Sequence, residues 1–248
     1  MKVADPYTLF AKVYDQEEHG EITTAFLAQA TPVIAARPDG TPVLDLACGT
    51  GIMAGMLADA GVRVIGVDRS PEMLVIARKR CRGQGVRFVQ ADMRRFTLPE
   101  PCTVATICGD VPNHLTLPVL RSGLRRTRTQ LAPGGVVMFD SLRRFCFEEY
   151  WDRTYHFEGP VGDIVMECGW DARKCIGTAR IVGYAKQPNG KFSKFETELL
   201  EHFYTEAEIR GTLKDAGFHK IRAEHWSPWD DQHLEPEMDR LFWTAERK

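Results

Sequence analysis

The chain has 248 residues, of which 44% are hydrophobic and 27% charged, and its formal net charge is −2. This composition is ordinary for a globular protein with one sizeable domain, and its net charge does not favour nucleic acid as a partner. The sequence contains no run of about 18 apolar residues and no signal-peptide core, so we expect a cytoplasmic protein without a membrane span.

The seven cysteines of the sequence predict neither disulfide bonds nor a zinc site. Their number is odd and no C-x-x-C pair occurs. Because most of them lie in apolar runs, we expect free, reduced thiols that behave as small hydrophobic side chains. The sequence shows no other cluster of metal ligands, and no metal site is predicted.

From Thr41 to Ser141, short apolar runs alternate with segments of helical spacing. The runs predict strands over residues 42–47, 62–67, 86–90, 102–108 and 136–139. Ser70-Pro71 is an N-cap signal for one of the intervening helices, and Pro133-Gly134-Gly135 predicts a turn before the fifth strand. Alternation of this kind predicts a parallel sheet with helices on both faces.

After Ser141 the pattern changes to period-two alternation, which runs over residues 161–204. Within it, Pro188-Asn189-Gly190 is a hairpin signal. We therefore predict a small antiparallel insertion over residues 142–204, flanked by a core made of residues 1–141 and 205–248.

The C-terminal part of the core is predicted to contain a helix and two strands. Thr205 and Glu208 form a capping-box signal that opens the helix, and Gly217 ends it. The strands are predicted over residues 218–226 and 241–246.

The most informative stretch is Val43-Leu44-Asp45-Leu46-Ala47-Cys48-Gly49-Thr50-Gly51. It leads from a buried strand through a glycine-rich turn into a helix, where backbone N–H groups are free to meet a ligand. Asp68 ends the next predicted strand, and an acid at this position can accept hydrogen bonds from ribose hydroxyls.

Two nucleotide cofactors compete for this geometry, because Gly49 to Ala54 also fits the G-x-G-x-x-G/A dinucleotide pattern. Asp45 lies inside the first strand, where a carboxylate would repel a pyrophosphate but could orient an ammonium group. Asp92 follows the third strand and adds a second acid at the adjacent edge. Acids beside the turn favour a cationic amino-acid moiety over a pyrophosphate.

These motifs resemble those of class I S-adenosylmethionine-dependent methyltransferases. Asp45 to Gly51 resembles their first motif, with Ala47 at the usual first glycine, and Asp68 matches their ribose-binding acid. Phe10 to Asp15 is similar to the F-A-x-x-Y-D segment that closes over the cofactor. Cys108 to Leu115 resembles their acceptor-side motif.

The resemblance implies S-adenosylmethionine as cofactor and a set of residues that contact it. That set comprises Tyr14, Asp45, Ala47, Cys48, Gly49, Gly51, Asp68, Arg69, Met73, Asp92, Met93 and Gly109. The implied fold is a doubly wound, Rossmann-like α/β domain whose seven-stranded sheet is parallel except for its last strand. The antiparallel insertion is then expected beside the acceptor site, as a lid or as the surface of a homodimer.

Segments near the C-terminus are similar to a bacterial subgroup that includes amino-sugar N-methyltransferases, although Phe203 stands where that subgroup usually has an arginine. This favours a small-molecule acceptor and methylation of nitrogen over oxygen. His114 and Tyr14 are the candidate catalytic residues, and an acceptor hydroxyl would need a base such as His114. A nicotinamide-dependent oxidoreductase and a non-catalytic cofactor-binding partner protein are the alternatives.

Overall fold

The computed structural model describes residues 10–16, 19–37, 40–187, 189–226 and 240–248. Its helices are α1 (His19–Ala35), α2 (Ile52–Asp59), α3 (Pro71–Arg80), α4 (Leu117–Gln130), α5 (Arg144–Tyr150) and α6 (Glu206–Asp215). Its strands are β1 (Val43–Leu46), β2 (Val64–Asp68), β3 (Arg87–Gln90), β4 (Cys102–Ile107), β5 (Leu131–Leu142), β6 (Thr154–Gly159), β7 (Gly162–Asp171), β8 (Ile176–Lys186), β9 (Phe192–His202), β10 (Phe218–Trp226) and β11 (Arg240–Arg247). No helix within these ranges is long and apolar enough to cross a membrane.

The core is a seven-stranded sheet in the order β10-β11-β5-β4-β1-β2-β3. Strand β11 pairs antiparallel with β10 and β5, whereas β5, β4, β1, β2 and β3 pair in parallel. All four residues of β1 are buried, because helices cover both faces of the sheet. The predicted doubly wound fold, with an antiparallel last strand, is confirmed.

The topology creates a crevice beside β1. The chain runs from β1 to β2 and β3 on one side, then crosses to β4 and β5 on the other. The point at which the strand order reverses direction is called the topological switch point. Ligands of open α/β sheets bind there, beyond the carboxyl ends of the strands. The motifs that follow β1, β2 and β4 therefore meet at one edge of the sheet.

The fifth strand differs from the prediction. Strand β5 begins at Leu131 and includes Pro133-Gly134-Gly135, which was expected to form a turn. Its partner residues step from Cys102↔Leu131 to Val104↔Val136, so the glycine segment forms an irregularity within the pairing and not a separate turn. Gly134 has a φ of 73°, a left-handed value that glycine accommodates readily.

Strands β6 to β9 form a second, antiparallel four-stranded sheet. It includes β6, which precedes the alternating runs found in the sequence. The predicted hairpin joins β8 to β9, with the Gly190 N–H donating to the Gln187 carbonyl at 2.9 Å, and Pro188 lies outside the described residues. The division of the chain at residues 142 and 204 stays a prediction.

Candidate functional site

A cavity of about 390 Å³ opens at the switch point of the sheet. Ligand pockets are usually on the order of 300–1,000 Å³, so the space suits a small-molecule ligand. Of the residues predicted for the site, the cavity is lined by Tyr14, Ala47, Gly49, Asp68, Arg69, Met73, Asp92, Met93, Gly109 and His114. The fold thus brings together residues from five separate segments of the sequence.

Three predicted cofactor residues, Asp45, Cys48 and Gly51, lie beside the cavity without lining it. Asp45 and Cys48 are buried, at 2% and 8% exposure. A Cβ atom on Gly51 would lie 2.9 Å from the Cβ of Ala77, so this glycine lets α2 pack closely on α3. The contact of Asp45, Cys48 and Gly51 with the cofactor stays a prediction. In the structure these residues shape the turn that follows β1.

The turn after β1 has a left-handed backbone at alternate positions. The φ angles are 59° at Ala47, 50° at Gly49 and 80° at Gly51. Alanine is uncommon in this region, which explains why glycine is usual at the first position. A Cβ on Gly49 would meet no atom within 4 Å, so the backbone there borders open space that a ligand can approach.

Asp68 connects two loops at the rim of the cavity. Its Oδ2 accepts a hydrogen bond from the Gly49 N–H at 2.9 Å, and its Oδ1 accepts one from the Ser70 N–H at 2.8 Å. Ser70 in turn caps α3 by accepting from the Met73 N–H at 3.3 Å. The carboxylate predicted to bind ribose therefore also holds the glycine turn in place.

Asp92 makes close contacts with Arg94. The Oδ1 of Asp92 accepts hydrogen bonds from the backbone N–H and the Nε of Arg94, both at 2.8 Å. This pairing lowers the pKa of Asp92 to about 2. Asp92 is thus held as a carboxylate at the cavity wall, and the adenine contact predicted for it stays a prediction.

The N-terminal segment is tied over the glycine turn by contacts that the sequence did not reveal. Asp15 accepts hydrogen bonds from the hydroxyl of Thr50 and from the guanidinium of Arg80. The Nε of Arg80 also donates to the Thr50 carbonyl at 3.0 Å. Tyr14 is thereby placed at the cavity, where its ring stacks on His19 at 3.9 Å. Arg80 belongs to a run of basic residues, and the run by itself gives no sign of this contact.

A group of buried charges lies behind the acceptor-side motif. Arg240 lies between Asp140 and Asp110, with its Nη1 2.6 Å from Asp140 Oδ2 and 3.3 Å from Asp110 Oδ1. Asp140 also accepts hydrogen bonds from the backbone N–H groups of Gly109 and Asp110. The pair formed by β5 and β11 therefore positions the segment that follows β4.

His114 lines the cavity and contacts β9 of the second sheet. Its Nε2 lies 3.5 Å from Glu201 Oε1. Burial lowers the pKa of His114, and burial together with Asp110 raises the pKa of Glu201 well above its usual range. The imidazole is therefore neutral and held against β9.

Asp45 carries a buried charge with few partners. Its Oδ1 accepts a weak hydrogen bond from Thr106 at 3.4 Å, and its Oδ2 has no hydrogen-bond partner among the described residues. Burial raises the pKa of Asp45 to about 7, and the Asp68 carboxylate adds to the rise. A folded-state pKa above the unfolded value means that ionisation of Asp45 opposes folding as the pH rises.

We expect Asp45→Asn to stabilise the unliganded protein increasingly at higher pH. The parent loses stability from about pH 4 to pH 7 at about 1.4 kcal/mol per pH unit, and the uncharged amide avoids this loss. Urea unfolding should show that the advantage of the variant grows by about 3 kcal/mol between pH 5 and pH 8. Asp59→Asn, at an exposed position on α2, is the control. Parallel pH profiles for Asp45→Asn and the parent would contradict the expectation.

Comparison with known proteins finds similarity to methyltransferases. Residues 43–135 match the family model of a methyltransferase domain. The chain is 28% identical over 228 residues to a dTDP-4-amino-2,3,4,6-tetradeoxy-D-glucose N,N-dimethyltransferase of Saccharopolyspora spinosa, covering 87% of this chain and 86% of that protein.

Solved structures share the fold over nearly the whole chain. An S-adenosylmethionine-dependent methyltransferase from Clostridium acetobutylicum has a TM-score of 0.74 at 19% identity, with 98% of this chain and 99% of that chain covered. An amino pentose methyltransferase from Micromonospora echinaspora, solved with S-adenosylmethionine bound, has a TM-score of 0.68 at 22% identity, with 96% of each chain covered. The resemblance first noted in the sequence motifs is confirmed.

Proposed function

Because the chain is an S-adenosylmethionine-dependent methyltransferase, we propose that it transfers the methyl group to an amine nitrogen of a small-molecule acceptor. The cofactor, when bound, supplies a sulfonium methyl that is already a reactive electrophile. The chain must then align the acceptor and exclude water, and orientation alone can contribute roughly 7–11 kcal/mol to lowering the barrier.

The residues around the cavity fit this cofactor. The open backbone at Gly49 and Gly109, where an added Cβ would meet nothing within 4 Å, allows a ligand to approach the main chain. Asp68 is placed to accept hydrogen bonds from ribose, and Tyr14 offers an aromatic face that would favour a nearby cation. The roles of these residues are part of the proposal.

The observation that carries the preference for nitrogen is the state of His114. Its Nε2 lies 3.5 Å from Glu201 Oε1, so one ring nitrogen already has a carboxyl group as its partner and is less free to take a proton from an acceptor hydroxyl. A neutral amine needs no such base in the transition state, because its proton can leave before the amine binds. The relative from Saccharopolyspora spinosa, which is an amino-sugar N,N-dimethyltransferase by name, supports the same preference.

We expect His114→Ala to lower the maximal rate only modestly, by about tenfold or less. A general base would contribute roughly 10²- to 10⁴-fold, whereas alignment of a neutral amine does not depend on this side chain. The assay should compare an amino sugar with the matched sugar that carries a hydroxyl in place of the amine, with the added methyl located by mass spectrometry. His156→Ala, on the second sheet, is the control variant.

A thousandfold fall in the rate of His114→Ala at unchanged cofactor affinity would overturn the preference for nitrogen and would make His114 the base. Turnover of the hydroxyl sugar but not of the amine would also overturn the preference for nitrogen. The lid or dimer role predicted for the insertion stays a prediction.

A further inference from the structure

We propose that Asp110, His114 and Glu201 form a site for a divalent cation such as Zn²⁺ or Co²⁺, which clamps the second sheet to the core. The three residues come from the loop after β4 and from the end of β9. The proposal does not depend on the identity of the acceptor, because cation binding can be measured without methyl transfer.

The geometry of the three side chains suits a metal ion. Each residue offers one donor atom, and these atoms all lie within 4.8 Å of one another. The His114 Nε2 and Glu201 Oε1 are 3.5 Å apart. Two donors at about 2.0–2.2 Å from a tetrahedral ion are separated by roughly 3.3–3.6 Å, so this pair needs little movement to bind one.

Among the residues that the structure describes, few cationic groups balance the charges around the cluster. Asp110, Asp140 and Glu201 face one guanidinium there, that of Arg240, which already contacts both aspartates, and the imidazoles of His114 and His19 also act on Asp110. Glu201 is only 6% exposed, and its Oε2 has no hydrogen-bond partner among the described residues. Burying a carboxyl oxygen without a partner is costly, and a divalent cation would supply that partner.

The donor atoms of the three side chains suit a divalent ion of borderline hardness. One imidazole with two carboxylates suits Zn²⁺ or Co²⁺, and a metal ligand must be the neutral form of histidine. A proton shared between Asp110 and Glu201 is the competing way to relieve the same contact. The two occupants are separated by the experiment below.

The position of the cluster gives the cation its role. Next to it, Asn113 is 1% exposed and joins three segments of the chain. The side-chain Nδ2 of Asn113 donates to the His202 carbonyl at 2.8 Å, and the backbone carbonyl of Asn113 accepts from the His202 N–H at 2.7 Å. The side-chain Oδ1 of Asn113 accepts from the Leu142 N–H at 3.0 Å. A cation bound by His114 and Glu201 would strengthen the same junction between β9 and the core.

The test is titration of the untagged, full-length protein with Co²⁺ after treatment with a chelator and its removal. We expect about one equivalent to bind, with the visible absorption of a nitrogen and oxygen site, and Zn²⁺ to raise the melting temperature. Glu201→Gln keeps the side-chain shape and should weaken Co²⁺ binding by at least about 10- to 100-fold. Its melting temperature without metal should not fall, because the amide keeps the shape of the buried carboxyl group and carries no charge.

Two further variants keep the result interpretable. His114→Gln removes a second ligand and should also abolish tight binding, and it serves if Glu201→Gln folds poorly. His156→Gln alters a surface His–Glu pair with 3.9 Å between Nε2 and Oε1, and should bind Co²⁺ as the parent does. Equal affinity in Glu201→Gln and the parent, no binding by the parent, or the charge-transfer absorption of a cobalt thiolate would overturn the proposal. None of these outcomes bears on the preference for nitrogen, which the acceptor assay decides.

Discussion

The substitution Asp68→Ala is expected to weaken S-adenosylhomocysteine binding by about 10- to 150-fold. Loss of one charged hydrogen-bond acceptor for the ribose costs roughly 1.5–3 kcal/mol. The upper end is expected, because the same carboxylate accepts hydrogen bonds from the Gly49 and Ser70 N–H groups and so holds the turn that faces the ligand.

Calorimetric titration measures this effect directly, and thermal unfolding without ligand reports whether the variant is folded. Asp59→Ala is the matched control, because Asp59 is an exposed acid on α2 that hydrogen-bonds Gln84 at 2.6 Å. Unchanged affinity in a folded Asp68→Ala protein would remove this residue from the cofactor site.

The second large effect is expected from Arg240→Met, which should lower the free energy of unfolding by about 3–5 kcal/mol. Arg240 is 3% exposed, and the buried Asp140 carboxylate would lose its cationic partner. Urea unfolding followed by circular dichroism measures the change. Lys220→Met is the control, because Lys220 forms an exposed ion pair with Glu246 that is worth at most about 1 kcal/mol.

A double variant tests the cause. Adding Asp140→Asn to Arg240→Met removes the charge that the first substitution leaves unpaired, so most of the lost stability should return. If the destabilising effects of the two single substitutions are additive in the double variant, then packing around Arg240, and not its charge, accounts for the loss.

The local sequence was sufficient for most of the core. The strand–turn–helix from Val43 to Gly51, the capped helix after Ser70 and the capping box at Thr205 each depend on residues close together in the chain. Local signals failed where a partner strand decides the structure. The Pro133-Gly134-Gly135 segment has the composition of a turn, yet its pairing with β4 draws it into a strand.

In the candidate site, too, some features could be predicted from the local sequence and others could not. Ten of the predicted site residues line the cavity, and all of them except Tyr14 end or follow a strand of the parallel sheet, where the carboxyl ends of the strands share one edge. The contacts of Asp15 with Arg80, of Asp140 with Arg240 and of His114 with Glu201 were not predicted. Their members are 65, 100 and 87 positions apart in the sequence.

The sequence by itself determined the sheet and the glycine turn, since hydrophobic period, caps and a compact motif are properties of neighbouring residues, and the resemblance of that motif to a known family implied the cofactor. Only the tertiary structure decided which charges face one another. Burial makes those pairings strong, because a carboxylate such as Asp140 or Glu201 away from water must find a cation, a proton or a donor in its immediate surroundings. Which residue supplies it depends on how β5, β9 and β11 are brought together, and no local pattern in the sequence encodes that.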